Sequence, residues 1–411
     1  MKSFSPFRII VPAWDKPHLV ASRSYLTYGK AELQDKLDRN PYSYLHVINP
    51  AGTKTAKAKR GSEGFFALVR SRFEEFVADG LFQRLEGNHL AIYRQTTPTS
   101  SCTGIVGALA VETIRSGGLK MHEQTLQKRE RLFAKYLNKV GCHAEPILCM
   151  YPDENERGHA IQQHIHAWIN DHKPEMDFST TDRIRHSIWI VGEQASLEIS
   201  DAMDKIPSLY LADGHHRVAS SIMLSEKFPD DAAKQTVLTF AVPESELVIR
   251  GYHRELIGIP WSTEEWDAAF HRMADIDHVE RVEHHSGPPS NVGIIHVHHA
   301  NANWVLHLKE PTDQLVRNEV DAAQLQRTLF EPELKIQDPR NDKRLGYIPG
   351  TLNSTDLRDR AMKHSNRVVF ELHPVPTQQI KKTADLGGYL PPKSTWVEPK
   401  LRSGLFIHDI Q

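Results

Sequence analysis

The chain has 411 residues, with 50 lysines and arginines against 52 aspartates and glutamates, which gives a formal net charge of -2. This length exceeds the size at which one hydrophobic core keeps growing, so we expect two domains or one domain with a large second lobe. The balanced charge argues against a dedicated nucleic-acid binder, because such proteins usually carry a basic surface. Three cysteines without metal-ligand spacing, no recognisable signal peptide and no long apolar run predict a reduced, cytoplasmic protein without membrane contact.

The apolar spacing predicts alternating helices and strands without internal repeats. We expect helices at 61–80, 126–140, 157–170 and 218–227, and strands at 89–94, 101–110, 146–151, 186–191 and 206–212. Residues 261–308 are predicted to form a helix, a loop and two strands (292–298 and 304–308), and they resemble a lid or insert more than a catalytic centre. Alternation puts His296 and His298 on one strand face, where a polar surface is favoured over a metal site because no third ligand is in view.

The most informative motif is Asp213-Gly214-His215-His216-Arg217, which joins a predicted strand to a predicted helix. The N–H groups and the dipole of a helix start attract anions, and glycine lets a ligand approach the backbone closely. Arg217 could then fork onto phosphate oxygens, and Asp213 could hold the Mg²⁺ of a nucleotide. The alternative is a structural helix start with an aspartate cap, a turn glycine and solvated histidines.

A second cluster follows the Gly117-Gly118 pair, where His122 and Glu123 lead into a helix rich in lysine and arginine. A general base beside phosphate-binding cations would have this composition. The alternative is that Glu123 only favours the helix N-terminus while the basic residues line a solvated face. The segment is not an HExxH zinc motif, because Gln127 and Lys128 stand where the second histidine would be needed.

Two further segments carry candidate ligand-binding groups. Residues 39–47 are predicted as a turn leading into a short strand, with Tyr42, Ser43 and His46 as substrate contacts or as ordinary packing residues. Residues 390–404 form a proline-stiffened loop that presents cations and hydroxyls suited to phosphate oxygens: Lys393, Ser394, Thr395 and Lys400. Domain docking is the alternative for this loop.

Several of these segments together resemble a widespread prokaryotic family described as a conserved domain of unknown function. The resemblance is carried by residues 40–47, 93–95, 122–125, 211–217, 252–254 and 391–405. It spans nearly the whole chain, and the segment 391–405 is long enough to be highly specific. Arg94 and Arg254, which lie in two of the shared segments, are assigned to substrate binding.

A more distant resemblance concerns the turn of Asp213, which is similar to the phosphate-binding turn of the ParB and sulfiredoxin superfamily. That superfamily includes kinases that phosphorylate free serine. In those kinases a catalytic glutamate precedes an Asp-Gly-His-His-Arg turn, and Glu123 precedes Asp213 in the same order here. The resemblance implies that Glu123 acts as base, with His122 beside it, that Asp213 places the metal, and that the residues from Gly214 to Arg217 hold phosphate.

These observations predict an α+β fold with a ParB/sulfiredoxin-like core. The expected parts are an N-terminal α/β segment (1–104), a nucleotide-binding core (105–245) and a C-terminal α/β segment (246–411) whose loop covers the site. The expected activity is phosphoryl transfer to serine from ATP or ADP with Mg²⁺, or phosphoserine hydrolysis. The alternative function is a nucleotide-binding sensor without turnover. The expected partners are small molecules rather than nucleic acid or membrane. A homodimer is possible.

Overall fold

A computed structural model describes residues 2–50, 58–309 and 320–411. The chain divides into two compact units. Unit 1 comprises Met1–Lys120, Thr125–Leu247 and Pro399–Gln411, and unit 2 comprises Met121–Gln124 and Val248–Glu398. Helices and mixed sheets occur in the same chain, so the α+β class predicted from the sequence is confirmed.

Helices and strands alternate along the described chain. The helices are α1 (Pro17–Val20), α2 (Lys30–Arg39), α3 (Leu45–Ile48), α4 (Glu63–Ala78), α5 (Val111–Arg115), α6 (Gln127–Val140), α7 (Glu156–Asp171), α8 (Glu193–Met203), α9 (His215–Lys227), α10 (Thr263–His271), α11 (Asp321–Leu325), α12 (Ser354–Met362) and α13 (Thr377–Asp385). The strands are β1 (Phe4–Ser5), β2 (Ile9–Pro12), β3 (Phe82–Arg84), β4 (Ala91–Thr96), β5 (Ser101–Ala110), β6 (Leu119–Lys120), β7 (Cys142–His143), β8 (Ile147–Tyr151), β9 (Met176–Ser179), β10 (Arg185–Ile190), β11 (Leu209–Asp213), β12 (Thr236–Pro243), β13 (Val248–Ile257), β14 (Ile276–Val282), β15 (Ile294–His299), β16 (Asn303–Leu308), β17 (Leu345–Pro349), β18 (Arg367–Leu372), β19 (Thr395–Glu398) and β20 (Ile407–Asp409).

Unit 1 is built on a mixed sheet with the strand order β6-β11-β8-β12-β5-β4-β10-β9, to which β1 adds by pairing with β5. Strands β6 and β11 pair in parallel, as do β8 and β12, whereas the other pairs along this order are antiparallel. All five residues of β8 are buried, which agrees with its position inside the sheet. Because β11 pairs with β8, Asp213 at the end of β11 lies beside a buried central strand of the sheet.

A smaller sheet of unit 1 has the order β3-β2-β20-β7 and brings the C-terminal residues into the fold. Its core includes one face of α4, whose phenylalanines recur at helical spacing. The ring of Phe82 meets Phe73 edge-on and stacks on Phe76. Ser62 begins α4 by accepting a hydrogen bond from the N–H of Phe65. Residues 399–411, named here the C-terminal segment, contribute the strand β20 to this sheet.

Unit 2 contains a sheet with the order β14-β16-β15-β18-β13-β17, and β19 pairs with β13. Its core is aromatic, with Trp266, Phe270, Trp304 and Phe370 fully buried. Ser262 and Glu265 form a capping box that begins α10. The segment 261–308 supplies three strands of this sheet, so the interpretation as a lid or insert is wrong, and the strand β14 was not predicted.

Most predicted elements agree with the structure to within a few residues, but residues 39–47 do not. They enter the short helix α3 rather than a strand, because Val47 and Ile48 donate main-chain hydrogen bonds back to Tyr44. The expected boundary at 104/105 falls inside β5, whereas the last change of unit before β13 lies at Leu247. Within the described ranges no helix is both long and apolar enough to cross a membrane, and all three cysteines are buried free thiols.

Candidate functional site

The turn between β11 and α9 has a backbone conformation that favours glycine. Gly214 adopts φ +106°, in the left-handed region, and α9 follows it immediately. A Cβ at this position would also lie 2.8 Å from Cγ2 of Ile147 on β8. Glycine is therefore required by both backbone geometry and packing. Of the two histidines that open α9, the first, His215, is buried and His216 is half-buried.

Arg217, in the first turn of α9, is bonded to acidic and main-chain oxygens of unit 1. Its Nη2 lies 2.8 Å from Oδ2 of Asp213, and its Nη1 lies 3.0 Å from Oε1 of Glu145. Nη1 also donates to the main-chain carbonyls of Glu145 and Pro146. The guanidinium thereby fixes Asp213 and Glu145 on its two sides, so in this structure it orients the carboxylates, while its contact with phosphate stays a prediction.

The C-terminal segment contributes to the same region of unit 1. Nζ of Lys400 lies 3.7 Å from Oδ1 of Asp213. Nε2 of Gln95 reaches the carbonyl of Lys400 at 3.5 Å, and the Ser403 hydroxyl donates to Glu145 over 2.8 Å. The structure therefore brings together two carboxylates and two cations from β11, the residues just before β8, α9 and the C-terminal segment. We name the group of Asp213, Glu145, Arg217 and Lys400 the Asp213 cluster.

Gly404 in the C-terminal segment occupies a position that favours glycine. It has φ +84°, its N–H donates to the carbonyl of Ala144, and a Cβ would lie 2.7 Å from the ring of Tyr44. Ser403 pairs with Ser22 through two main-chain hydrogen bonds. These contacts hold Ser403 and Gly404, which follow Lys400, against Ser22 and Ala144, the residue before Glu145.

A series of hydrogen bonds from buried Tyr93 to exposed Asp182 anchors Arg402 to the sheet. Arg402 donates to Asp182 over 2.5 Å, and the Thr180 hydroxyl also donates to Asp182. His186 places Nε2 3.3 Å from that hydroxyl and Nδ1 2.7 Å from the hydroxyl of Tyr93. Because Thr180 donates onward, the consistent tautomer has Nε2 protonated, with Tyr93 donating to Nδ1.

Burial and the nearby charges set the protonation states along this chain. Burial, reinforced by Arg402, lowers the pKa of His186 to about 3. Burial raises the pKa of Asp182, but hydrogen bonds from Arg402 and Thr180 outweigh it and hold that pKa below its usual range. This series of hydrogen bonds therefore consists of a neutral His186 imidazole followed by the ion pair of Asp182 and Arg402. It positions the C-terminal segment and exposes no reactive group.

His122 and Glu123 belong to unit 2, whereas Asp213 and Arg217 belong to unit 1. His122 is buried, and its carbonyl accepts a hydrogen bond from the N–H of Leu390, the residue before the Pro391-Pro392 pair. Glu123 is half-buried. The proposed base and the proline-rich loop are thus parts of the same unit.

Arg254 has a fastening role in unit 2. Its side chain is buried and donates to the carbonyls of Tyr252, Pro392 and Lys393, and burial lowers its pKa to about 10. These bonds hold the proline-rich loop against β13. The observed bonds of Arg254 are structural, and substrate binding by Arg254 stays a prediction.

The loop itself has one exposed and one buried candidate. Lys393 is exposed, has φ +58°, and places Nζ 5.8 Å from the ring centre of Tyr252. Ser394 is buried and donates to the carbonyl of Pro391 over 2.7 Å. Thr395 is half-buried and opens β19. Of the three, Lys393 is the one presented to solvent.

The remaining candidates lie in unit 1 and are mostly engaged locally. Tyr42 is exposed, while the hydroxyl of Ser43 accepts from the N–H of Leu45. Nε2 of His46 faces the carbonyls of Leu37 and Asn40 at 3.1 and 3.0 Å.

Arg94 of β4 donates a hydrogen bond to Thr103 and lies over the ring of Trp189. Arg94 also lines a pocket of about 180 Å³ that includes Arg185 and Asp177.

Sequence reasoning missed Glu145 and the chain from Tyr93 to Arg402. Glu145 lies just before β8 and has no motif of its own, so only the pairing of β8 with β11 brings it to Arg217. Arg402 had a weak signal, because it stands inside the specific C-terminal segment. Its partner Asp182 lies in a turn more than two hundred residues earlier and had none.

The chain is a mixed α+β protein whose most distinctive feature is a glycine-dependent strand-to-helix turn flanked by charged side chains. It belongs to the family "Protein of unknown function (DUF1015)", whose model matches residues 4–329. A comparison with curated proteins finds no match.

Three solved structures are distantly similar to this chain. A free serine kinase variant in complex with ADP is 12% identical over 74% of this chain and 92% of its own, with a TM-score of 0.38. SbnI with a C-terminal truncation, from Staphylococcus aureus, is 11% identical over 71% of this chain and 82% of its own, at 0.36. A conserved hypothetical protein from Pyrococcus furiosus is 11% identical over 74% and 95%, at 0.35. Such low TM-scores carry no argument about what this chain does.

Proposed function

We propose that the protein binds a nucleotide at the turn of Asp213 and transfers a phosphoryl group between the nucleotide and a small hydroxy-amino acid, with serine as the preferred substrate. One observation carries the proposal. A helix of 13 residues begins directly after a left-handed glycine, and Lys400 comes within 3.7 Å of the carboxylate that precedes this glycine. Main-chain N–H groups, a helix dipole and a cation at one turn suit a phosphate.

The two cations of the Asp213 cluster have different roles in this proposal. The pair of Lys400 and Asp213 is 3.7 Å long and half-exposed, and such pairs contribute only about 0–1 kcal/mol. Exchanging the contact with Asp213 for one with a phosphate therefore costs Lys400 little. Arg217 is more buried and bonded to two carboxylates and two carbonyls, so we assign it mainly to orienting Asp213.

The carboxylates fit a magnesium ion that shares its coordination with phosphate oxygens. Mg²⁺ in phosphoryl-transfer sites is usually held by one or two carboxylates together with substrate phosphates. Asp213 would hold it, and Arg217 would keep that carboxylate oriented. When bound, the ion would neutralise charge on the phosphates.

The resemblance to serine kinases assigns Glu123 as the general base, with His122 as its neighbour. The proton of the serine hydroxyl passes to Glu123, the serine oxygen forms a bond to the terminal phosphorus, and the bond from that phosphorus to the nucleotide breaks. We keep Lys393, Ser394 and Thr395 as phosphate contacts. Tyr42, Ser43, His46, Arg94 and Arg254 stay proposed substrate residues, although the local bonds of most of them favour supporting roles.

The test is to incubate the full chain with Mg²⁺, ATP or ADP, and serine, and to detect phosphoserine by mass. A parallel sample with phosphoserine and no nucleotide detects hydrolysis. Phosphoserine formed from nucleotide and serine supports the kinase, and phosphate released from phosphoserine supports the phosphatase. If calorimetry shows nucleotide binding but neither reaction occurs with any of a panel of hydroxy-amino acids, the protein is a nucleotide sensor and not an enzyme.

Glu123→Gln gives the sharpest assay of the base. The amide keeps the shape but cannot take a proton, so turnover should fall by about 10²–10⁴ while nucleotide affinity changes little. The matched control is Glu331→Gln, an exposed glutamate of unit 2 that should leave turnover unchanged. Full activity in Glu123→Gln would remove the base assignment.

A further inference from the structure

One face of the unit 2 sheet carries two histidines and a glutamate side by side. Strands β14 and β16 are antiparallel, and a bulge between Ile276 and His278 shifts their register. Because of this shift His278 lies opposite His307, whereas a regular ladder continuing from Ile276 would place it opposite Leu306. Glu280 follows two residues after His278 and so shares its face.

The opposite face of the same strands belongs to the core. Trp304 and Leu306 of β16 are fully buried in the apolar cluster of unit 2. Alternation therefore turns His307 away from that core, where it is half-buried, while His278 and Glu280 are exposed. The three side chains sit on a rigid sheet and remain reachable from solvent.

The geometry of these three groups is that of metal ligands. One ligand atom from each of His278, Glu280 and His307 lies within 4.8 Å of the other two. Ligand atoms around a tetrahedral zinc ion with bonds of 2.0–2.1 Å are separated by about 3.3 Å, so small side-chain rotations would close the site. Within the described ranges none of the three side chains has a hydrogen bond or an ion pair to another residue.

We propose that His278, Glu280 and His307 bind a divalent transition metal ion of the zinc type. Imidazole nitrogen suits zinc, nickel, copper and ferrous iron, whereas calcium and magnesium prefer oxygen ligands. Three protein ligands leave a coordination position for water or another small ligand. This site is independent of the nucleotide site proposed above.

The neighbouring histidines of β15 and of the loop before it do not form such a site. Nε2 of His298 is bonded to Glu371 over 2.8 Å, and Nε2 of His285 is 3.2 Å from the carbonyl of Val297. The rings of His285 and His296 are stacked with centres 4.2 Å apart, which turns their nitrogens along parallel planes rather than to one point. The convergent group is the one across β14 and β16.

The test is a titration of the chelator-treated full chain with Zn²⁺ by calorimetry, repeated with Co²⁺ to record the absorption bands of the bound ion. We expect one ion per chain, with Mg²⁺ and Ca²⁺ unable to compete. His278→Ala and His307→Ala should each weaken zinc binding at least about tenfold, because loss of even an outer partner of a metal ligand costs 10–100-fold. His364→Asn, at an exposed histidine of the same unit, is the matched control.

Three results would overturn the proposal. The first is no zinc binding at millimolar concentration. The second is binding that survives His278→Ala and His307→Ala with unchanged affinity and unchanged cobalt spectrum. The third is binding that is abolished by His296→Ala but not by His278→Ala, which would place the ion at the neighbouring histidines. Circular dichroism of each variant verifies that the fold is retained.

Discussion

The Asp213 cluster of unit 1 and the His278, Glu280 and His307 triplet of unit 2 both gather charged or ligating side chains, but they differ in how those side chains are engaged. Every member of the Asp213 cluster lies within 4 Å of an opposite charge. In the part of the chain that the structure describes, the triplet has convergent ligand atoms and neither hydrogen bonds nor ion pairs. A ligand at the first site must exchange existing ion pairs, whereas an ion at the second would break no side-chain hydrogen bond or ion pair of the described residues.

This difference determines whether stability or ligand binding is the informative measurement for each region. Breaking an internal bond of a partly buried ion pair lowers the free energy of unfolding even without ligand. Removing a solvated ligand group changes stability only when the ligand is present. Substitutions around Asp213 should therefore alter stability and binding together, and substitutions in the triplet should alter metal binding alone.

Acidification should have the largest effect on unit 1, because it protonates buried histidines whose pKa is lowered by burial, among them His186. Its pKa is lowered to about 3 in the folded chain against 6.5 for the free side chain, so the stabilising neutral form is favoured above pH 6.5 and lost as the pH falls toward 3. Protonation would also remove the acceptor for Tyr93. At pH 4.5 the loss attributable to His186 should be on the order of 2–3 kcal/mol.

Urea unfolding at pH 7 and pH 4.5 measures this loss. His186→Asn keeps an acceptor oxygen but cannot titrate, so its stability should fall less over the same interval. Equal losses in the two proteins would show that the imidazole is not held neutral by the fold.

Arg217→Ala should lower the free energy of unfolding by about 1.5–3 kcal/mol, the range for hydrogen bonds to charged groups. It leaves Asp213 and Glu145 facing each other without the guanidinium between them. Arg129→Ala, at an exposed arginine of α6, is the control and should stay within about 0.5 kcal/mol. If the variant is as stable as the parent but binds nucleotide less tightly, Arg217 contacts phosphate directly and its orienting role is wrong.

Lys400→Met should separate stability from binding. The 3.7 Å pair with Asp213 is half-exposed, so the free energy of unfolding should fall by less than about 1 kcal/mol. Nucleotide affinity should nevertheless fall at least about tenfold, because a charge-assisted bond to phosphate is lost. Calorimetry with ATP and ADP measures the affinity, and unchanged binding would confine Lys400 to a structural role.

Glu280→Gln should have the smallest effect of all on the metal-free protein, within about 0.5 kcal/mol in thermal or urea unfolding. Added zinc should stabilise the parent chain and stabilise the variant less, because binding to the folded state alone raises stability. A large loss in chelator-treated buffer would mean that Glu280 is bonded within the protein, and the contrast between the two regions would fail.

Much of the local structure could be predicted because the signals are local. The phenylalanine spacing of α4, the apolar run of β8 and the glycine before α9 each act within a few residues, and the structure has these elements at the expected places. The helix α3 was missed because its four residues are set by main-chain bonds to Tyr44 rather than by an apolar period. The strand β14 was missed because it lies at the sheet edge with most residues exposed.

The sequence by itself determined the class of fold, the family membership and the glycine-dependent turn of Asp213. Each of these depends on composition, motif order or backbone preference, which are properties of the sequence itself. Only the tertiary structure decided which distant groups meet. The pairing of β8 with β11 brings Glu145 to Arg217, and the entry of β20 into a sheet of unit 1 carries Lys400 to Asp213. The bulge in β14 sets His278 opposite His307. Strand register is a property of two chain segments together, so neither segment alone reveals its partner.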